Sequence, residues 1–130
     1  MVNIKVLDRA PKDIESMVTR KSGITPYNIR GVVINKKSGK SYNIEIQMDT
    51  EKLTSDSNVR VACSCDDFQY RWAYVLWQKG ALLNVKKYVI EPPKKTNPDM
   101  KMSACKHIHA FVTNELSGTL KTFNIKQGVL

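Results

Sequence analysis

Three cysteines and one histidine constrain this chain more than any other feature. Cys63 and Cys65 stand in the run Val61-Ala-Cys-Ser-Cys-Asp66, and Cys105 and His107 in Ser103-Ala-Cys-Lys-His-Ile108. They use every cysteine present and form two pairs, C-x-C and C-x-H, separated by residues 66–104. Zn²⁺ takes four tetrahedral ligands, favours thiolate and imidazole, and Cys₃His is one of its standard structural sets. Four protein ligands leave no open position for water, so such a metal staples the fold and does not catalyse. The other readings of these residues are ordinary buried thiols, a C-x-C redox pair, or His109 in place of His107. Cys105 and His109 are i,i+4 neighbours on a full helix.

The spacings suit particular backbones. Residues i and i+2 of an extended segment point to one face, so Cys63 and Cys65 at the end of a strand present both sulfurs in one direction. In a regular helix i and i+2 diverge. Cys105 and His107 therefore converge only if Cys105 precedes the helix and His107 lies in its first turn. Ser103 is an expected N-cap, and Ile108, Phe111, Val112 and Leu116 follow at helical spacing.

The order strand–C-x-C, intervening segment, C-x-H–helix resembles the SWIM-type zinc finger. The matching residues are Cys63-Ser-Cys65 and Cys105-Lys-His107-Ile-His-Ala110-Phe, and the resemblance covers about 41–117. The gap between the pairs is longer than is usual in that family. The run Cys-Ser-Cys-Asp-Asp-Phe-Gln-Tyr-Arg-Trp, with a later Asn97-Pro98, is similar to SWIM-like proteins of tailed bacteriophages. The resemblance implies a structural zinc held by Cys63, Cys65, Cys105 and His107. It also implies either nucleic-acid binding or a structural role in a virion: head, connector or tail assembly.

Size and charge narrow the class. At 130 residues the chain fits one domain, and no 18-residue apolar run exists for a membrane span. The first residues are too few and too polar for an export signal, so a cytoplasmic setting follows as the expectation, host cytoplasm or virion if phage-encoded. Twenty-one Lys and Arg against twelve Asp and Glu give +9. That balance favours nucleic acid or an acidic protein surface as partner, and no small-molecule substrate. No Gly-rich phosphate loop, serine elbow or paired acidic motif is present, which argues against an enzyme.

The expected fold is α+β: a small antiparallel β-meander packed with helices and stapled by one zinc. Residues 1–28 read as an N-terminal helix and connector, 29–117 as the zinc core with insertion 66–104, and 118–130 as a C-terminal tail. Residues 1–7 alternate loosely as a strand or arm. Asp8 as cap, Pro11 in the first turn, and a stripe of Ile14, Met17 and Val18 predict a helix over about 9–21 stopped by Gly23. Runs 29–35 and 41–48 flank Lys36-Lys-Ser-Gly-Lys40 and read as a hairpin, with Gly39 at a positive φ. Residues 58–64 form a third strand in which Val59 and Val61 share parity with Cys63 and Cys65.

The stretch 66–80 is the most aromatic. Phe68, Trp72, Val75 and Leu76 fall on one helical stripe and Tyr70, Tyr74 and Trp77 on another, a helix buried between layers or, with Arg71, a base-stacking surface. Asp66 or Asp67 is the expected cap. Tyr88-Val-Ile reads as a short strand and Glu91 to Asp99 as a Pro-rich loop. Lys86, Lys87, Lys94, Lys95, Lys101 and Lys106 cluster around this insertion as the leading contact for an anion, with Lys36, Lys37 and Lys40 a second candidate. Gly118 is the expected helix stop, and 119–130 a strand or docking tail.

Overall fold

The computed structural model describes residues 1–120. Five strands make one antiparallel sheet: β1 (Val2–Asn3), β2 (Met17–Thr25), β3 (Asn28–Asn35), β4 (Ser41–Met48) and β5 (Asn58–Cys63). Their order is β1-β5-β4-β3-β2, so β2 to β5 form a continuous meander and β1 closes the far edge. Two helices accompany it, α1 (Ala73–Gln78) and α2 (Lys106–Phe111), each continuous with a π-helical stretch: Phe68–Trp72 before α1 and Val112–Leu116 after α2. The α+β class and the meander follow the sequence expectation. No helix of the described residues is long and apolar enough to cross a membrane.

Period-two patterning places the core. Ile44, Ile46 and Met48 of β4 are buried, as are Val59, Val61 and Cys63 of β5. The register pairs Ile44 with Cys63, Ile46 with Val61 and Met48 with Val59, so the inner face is one apolar layer. Across it lies α2, whose Ile108, Ala110 and Phe111 are fully buried and which packs on β2, β3 and β4. Gly31 of β3 permits that approach. A Cβ built there would meet Phe111 Cε2 at 2.1 Å.

The N-terminal helix does not form. Residues 4–7 and 14–16 are single 3₁₀ turns, and Met17–Thr25 is a strand paired with β3 from Met17↔Asn35 to Thr25↔Asn28. The local signals at Asp8, Pro11 and the Ile14–Met17–Val18 stripe are overridden because β3 offers a ladder of backbone partners, and Val18, Thr19, Ile24 and Thr25 suit a pleat. Gly23 stands beside a bulge, where the register shifts between Lys21 and Gly23, and stops no helix. Other corrections follow the same logic. Tyr88-Val-Ile forms no strand, since the Gln69 amide group bonds both the Val89 N–H (3.1 Å) and its C=O (2.9 Å). Asp67 caps nothing; its carboxylate holds Arg71 Nε at 3.1 Å and accepts from Trp72 Nε1 at 3.3 Å. Helix continues through 117–120, past Gly118, and the expected tail beyond lies outside the described residues. The Gly39 turn forms as expected, with φ +73°.

Candidate metal centre

β5 delivers Cys63 at its last residue, and the chain turns so that Cys65 faces the same interior; both are buried. From the other side, Cys105 is extended (φ −71°, ψ 162°) immediately before α2, and His107 lies in the first turn. This is the backbone arrangement the C-x-H spacing requires. The donor atoms of Cys63, Cys65, Cys105 and His107 all lie within 4.8 Å of one another. A tetrahedral site with metal–sulfur bonds of about 2.3 Å separates its donors by about 3.8 Å, so this cluster could hold one metal ion.

Hydrogen bonding separates the two histidines. The His109 Nδ1 atom lies 3.0 Å from the Leu7 carbonyl and Nε2 lies 2.9 Å from the Ser103 hydroxyl. One neutral tautomer satisfies both: Nδ1–H donates to Leu7 and Ser103 donates to Nε2. His109 is therefore a satisfied core residue tying α2 to the N-terminal segment. Ser103, the expected N-cap, spends its hydroxyl there instead. The His107 ring is the opposite case: it is buried, and neither nitrogen has a hydrogen-bond partner. Burying an unpaired polar atom costs about 1–3 kcal/mol, so an orphaned imidazole among three sulfurs fits a metal ligand.

The thiols themselves ask for a cation. Burial pushes the Cys105 thiol well up, and hydrogen bonding and charge from Cys63 and Cys65 add to it. Cys65 is held far below the usual thiol range by hydrogen bonds from Cys105 and Cys63. Three neighbouring sulfurs cannot all ionise against their mutual repulsion, but a divalent ion reverses that balance and makes each thiolate a ligand. The Phe68 N–H also points at Cys65 Sγ, at 3.3 Å.

An aromatic surround positions the candidate ligands. Tyr42 of β4 stacks on His107 with ring centroids 4.1 Å apart, and the Tyr88 hydroxyl donates to the Cys63 carbonyl at 2.9 Å. Phe68 meets Tyr88 edge-on at 5.3 Å. Burial and the Cys63 charge raise the Tyr88 pKa to about 12, so its hydroxyl stays a donor at neutral pH. The alternation of β4 marked Tyr42 as inward-facing, but nothing local marked Tyr88, which comes from the insertion.

Asn97 fastens the insertion. Its side chain, 5% exposed, donates to the Arg71 and Lys101 carbonyls at 3.2 and 3.0 Å and accepts from the Lys101 N–H at 3.0 Å. Thr96 Oγ1 donates to the Tyr70 carbonyl. The π-helical stretch thus directs two carbonyls to the Pro-rich loop that leads to Cys105.

The charged and aromatic candidates separate. Lys86, Lys87, Lys94, Lys95 and Lys101 are exposed, while Lys106 Nζ is bonded to Asp13 at 3.1 Å. In the helix, Phe68, Val75 and Leu76 are buried, but Tyr70 (64%) and Trp77 (45%) face solvent, so only one of the two stripes covers the core. Compared with known proteins, the chain matches no family model, and no curated protein or solved structure gives a significant match.

Proposed function

We propose that this chain is a non-enzymatic binding module, stapled by one structural Zn²⁺ and presenting a cationic surface to nucleic acid. The observation that carries the reading is the convergence of three buried thiols on an imidazole without hydrogen-bond partners. Soft sulfur and nitrogen donors select Zn²⁺ over Mg²⁺ or Ca²⁺, which take oxygen. When bound, the ion supplies positive charge that keeps Cys63, Cys65 and Cys105 ionised. Cys63 and Cys65 anchor the sheet to it, and Cys105 and His107 anchor α2. Four protein donors leave no place for substrate. In this reading the C-x-C and C-x-H pairs are those of a SWIM-type finger.

The charge supports a polyanionic partner. Among the described residues only Arg71 and Lys106 form ion pairs, so the other described lysines and arginines carry charge not held by an internal carboxylate. A second reading, a structural component of a phage particle or other assembly, is favoured by the exposed Tyr70 and Trp77. The test is purification with native contents, followed by elution in rising salt. The proposal expects one zinc per chain and nucleic acid released between about 50 and 200 mM salt. Protein without zinc refutes the staple. Association with other proteins that persists through that range favours the assembly reading instead.

A further inference from the structure

The geometry points to the outer surface of the β2–β3 hairpin, and not the lysine-rich insertion, as the seat of the nucleic-acid phosphate backbone. This inference rests on the nucleic-acid reading above. Residues 16–44 contain Arg20, Lys21, Arg30, Lys36, Lys37 and Lys40 and no carboxylate. All six are exposed, and none forms an ion pair. Asp13 feels the charge of Lys37 but is already bonded to Lys106. Glu45 stands opposite Arg30 in the β3–β4 register without an ion pair. The insertion, by contrast, interleaves its cations with Asp66, Asp67, Glu91 and Asp99.

The fold arrays Arg20, Arg30 and the turn lysines along the outer side of the hairpin, while Lys21, paired with Gly31, has the parity of the face that meets Phe111. The Lys36 N–H bonds the Ser16 carbonyl at one end of the hairpin, and Arg30 pairs with Gly23 toward the other. Six residues of strand span about 20 Å. That is about six phosphate rises along a duplex strand. Arg20 lies between, opposite Val32. Beside the bulge is a concavity of about 250 Å³ lined by Ser22, Gly23, Thr25, Asn28 and Arg30. Its lining offers hydroxyls, amides and a guanidinium and contains no acid, a donor set suited to phosphate oxygens.

An acidic peptide adding as a strand to β2 is the competing occupant. The bulge between Lys21 and Gly23 interrupts the ladder such a strand needs, whereas a phosphate backbone requires only donors and charge.

The test is a fluorescence-anisotropy titration of the metal-loaded full chain with a labelled duplex of about two helical turns, at about 50 to 200 mM salt. A single strand of equal length and polyglutamate are run beside it. Circular dichroism and metal content verify each variant. Arg20→Gln/Arg30→Gln should weaken binding at least tenfold and make the log–log salt slope shallower by about two. Ser22→Asp, which places a carboxylate in the concavity, should weaken it in the same sense. Should the Arg double variant not fold, Lys36→Gln/Lys37→Gln on the exposed turn carries the same slope expectation. Lys94→Gln/Lys95→Gln should bind as wild type. Loss in the insertion variant alone overturns the location and leaves the nucleic-acid reading standing. Wild-type protein that binds neither nucleic acid overturns both. Preference for polyglutamate over duplex hands the surface to an acidic protein and overturns the inference.

Discussion

Gly31→Ala probes the contact on which sheet and helix meet. The new Cβ would sit 2.1, 2.5 and 2.7 Å from three Phe111 ring carbons. Carbon atoms make contact at about 3.5 Å, so the nearest overlap is about 1.4 Å. A shift of a few tenths cannot relieve it, and the Phe111 ring has no exposed side toward which to swing, being 0% exposed. Overpacking costs about 1–3 kcal/mol, and this overlap belongs at the upper end. Removing a strand glycine returns about 0.5–1 kcal/mol of backbone entropy, which leaves a net loss of about 2 kcal/mol. For a domain of this size that lowers Tm by about 6–10 °C. Phe111 is also i+4 from His107, on the same helical face, so displacing it should shift the proposed ligand and weaken metal binding. The assay is denaturant unfolding in a double-mutant cycle with Phe111→Leu. The smaller side chain should make the Gly31→Ala penalty shrink by more than 0.5 kcal/mol, the scale of coupling expected for touching residues. If Gly31→Ala is as stable as wild type, the ring does not lie on Gly31 and the packing described here is wrong.

Cys105→Ser should abolish stoichiometric metal binding and loosen residues 58–117, because structural zinc supplies an apparent ~10–16 kcal/mol against a typical domain stability of ~5–15 kcal/mol; limited proteolysis with and without a chelator reads this directly. Asn97→Ala should cost about 1–3 kcal/mol by stranding the Arg71 and Lys101 carbonyls, and should speed amide exchange around 94–101 more than in the sheet. Burial holds the His109 pKa below its ordinary 6.5, with the Leu7 hydrogen bond opposing. As pH falls below about 6.5 the unfolded chain therefore takes up the proton first, and stability declines while remaining level above that value. At fixed zinc, His109→Gln should lose that part of the acid slope, and an unchanged slope contradicts the assignment. Lys106→Ala should cost under about 1 kcal/mol, because its ion pair with Asp13 is solvent-accessible.

The parts of this fold legible in the sequence are those governed by local period and by the spacing of the three cysteines and His107. Alternation placed β4, shared parity put Val59 and Val61 on the face of Cys63, and the C-x-H spacing required Cys105 outside the helix. What was not legible depends on partners distant in the chain. Met17–Thr25 carries helical signals at its start, yet β3 draws it into the sheet. Nothing near Tyr88 shows that its hydroxyl will find the Cys63 carbonyl, and nothing near Asn97 shows that a π-helical stretch will direct the Arg71 carbonyl toward it. The C-x-H spacing favoured His107 with His109 as the rival, and what the sequence could not show is that the His109 imidazole is already satisfied by Leu7 and Ser103.

That choice also supplies the most direct test of the account. Metal content of the purified chain should be one zinc per chain in wild type and in His109→Ala, and close to none in His107→Ala. Metal retained by His107→Ala and lost from His109→Ala contradicts the ligand set, and wild-type protein that takes up no zinc contradicts the metal centre itself.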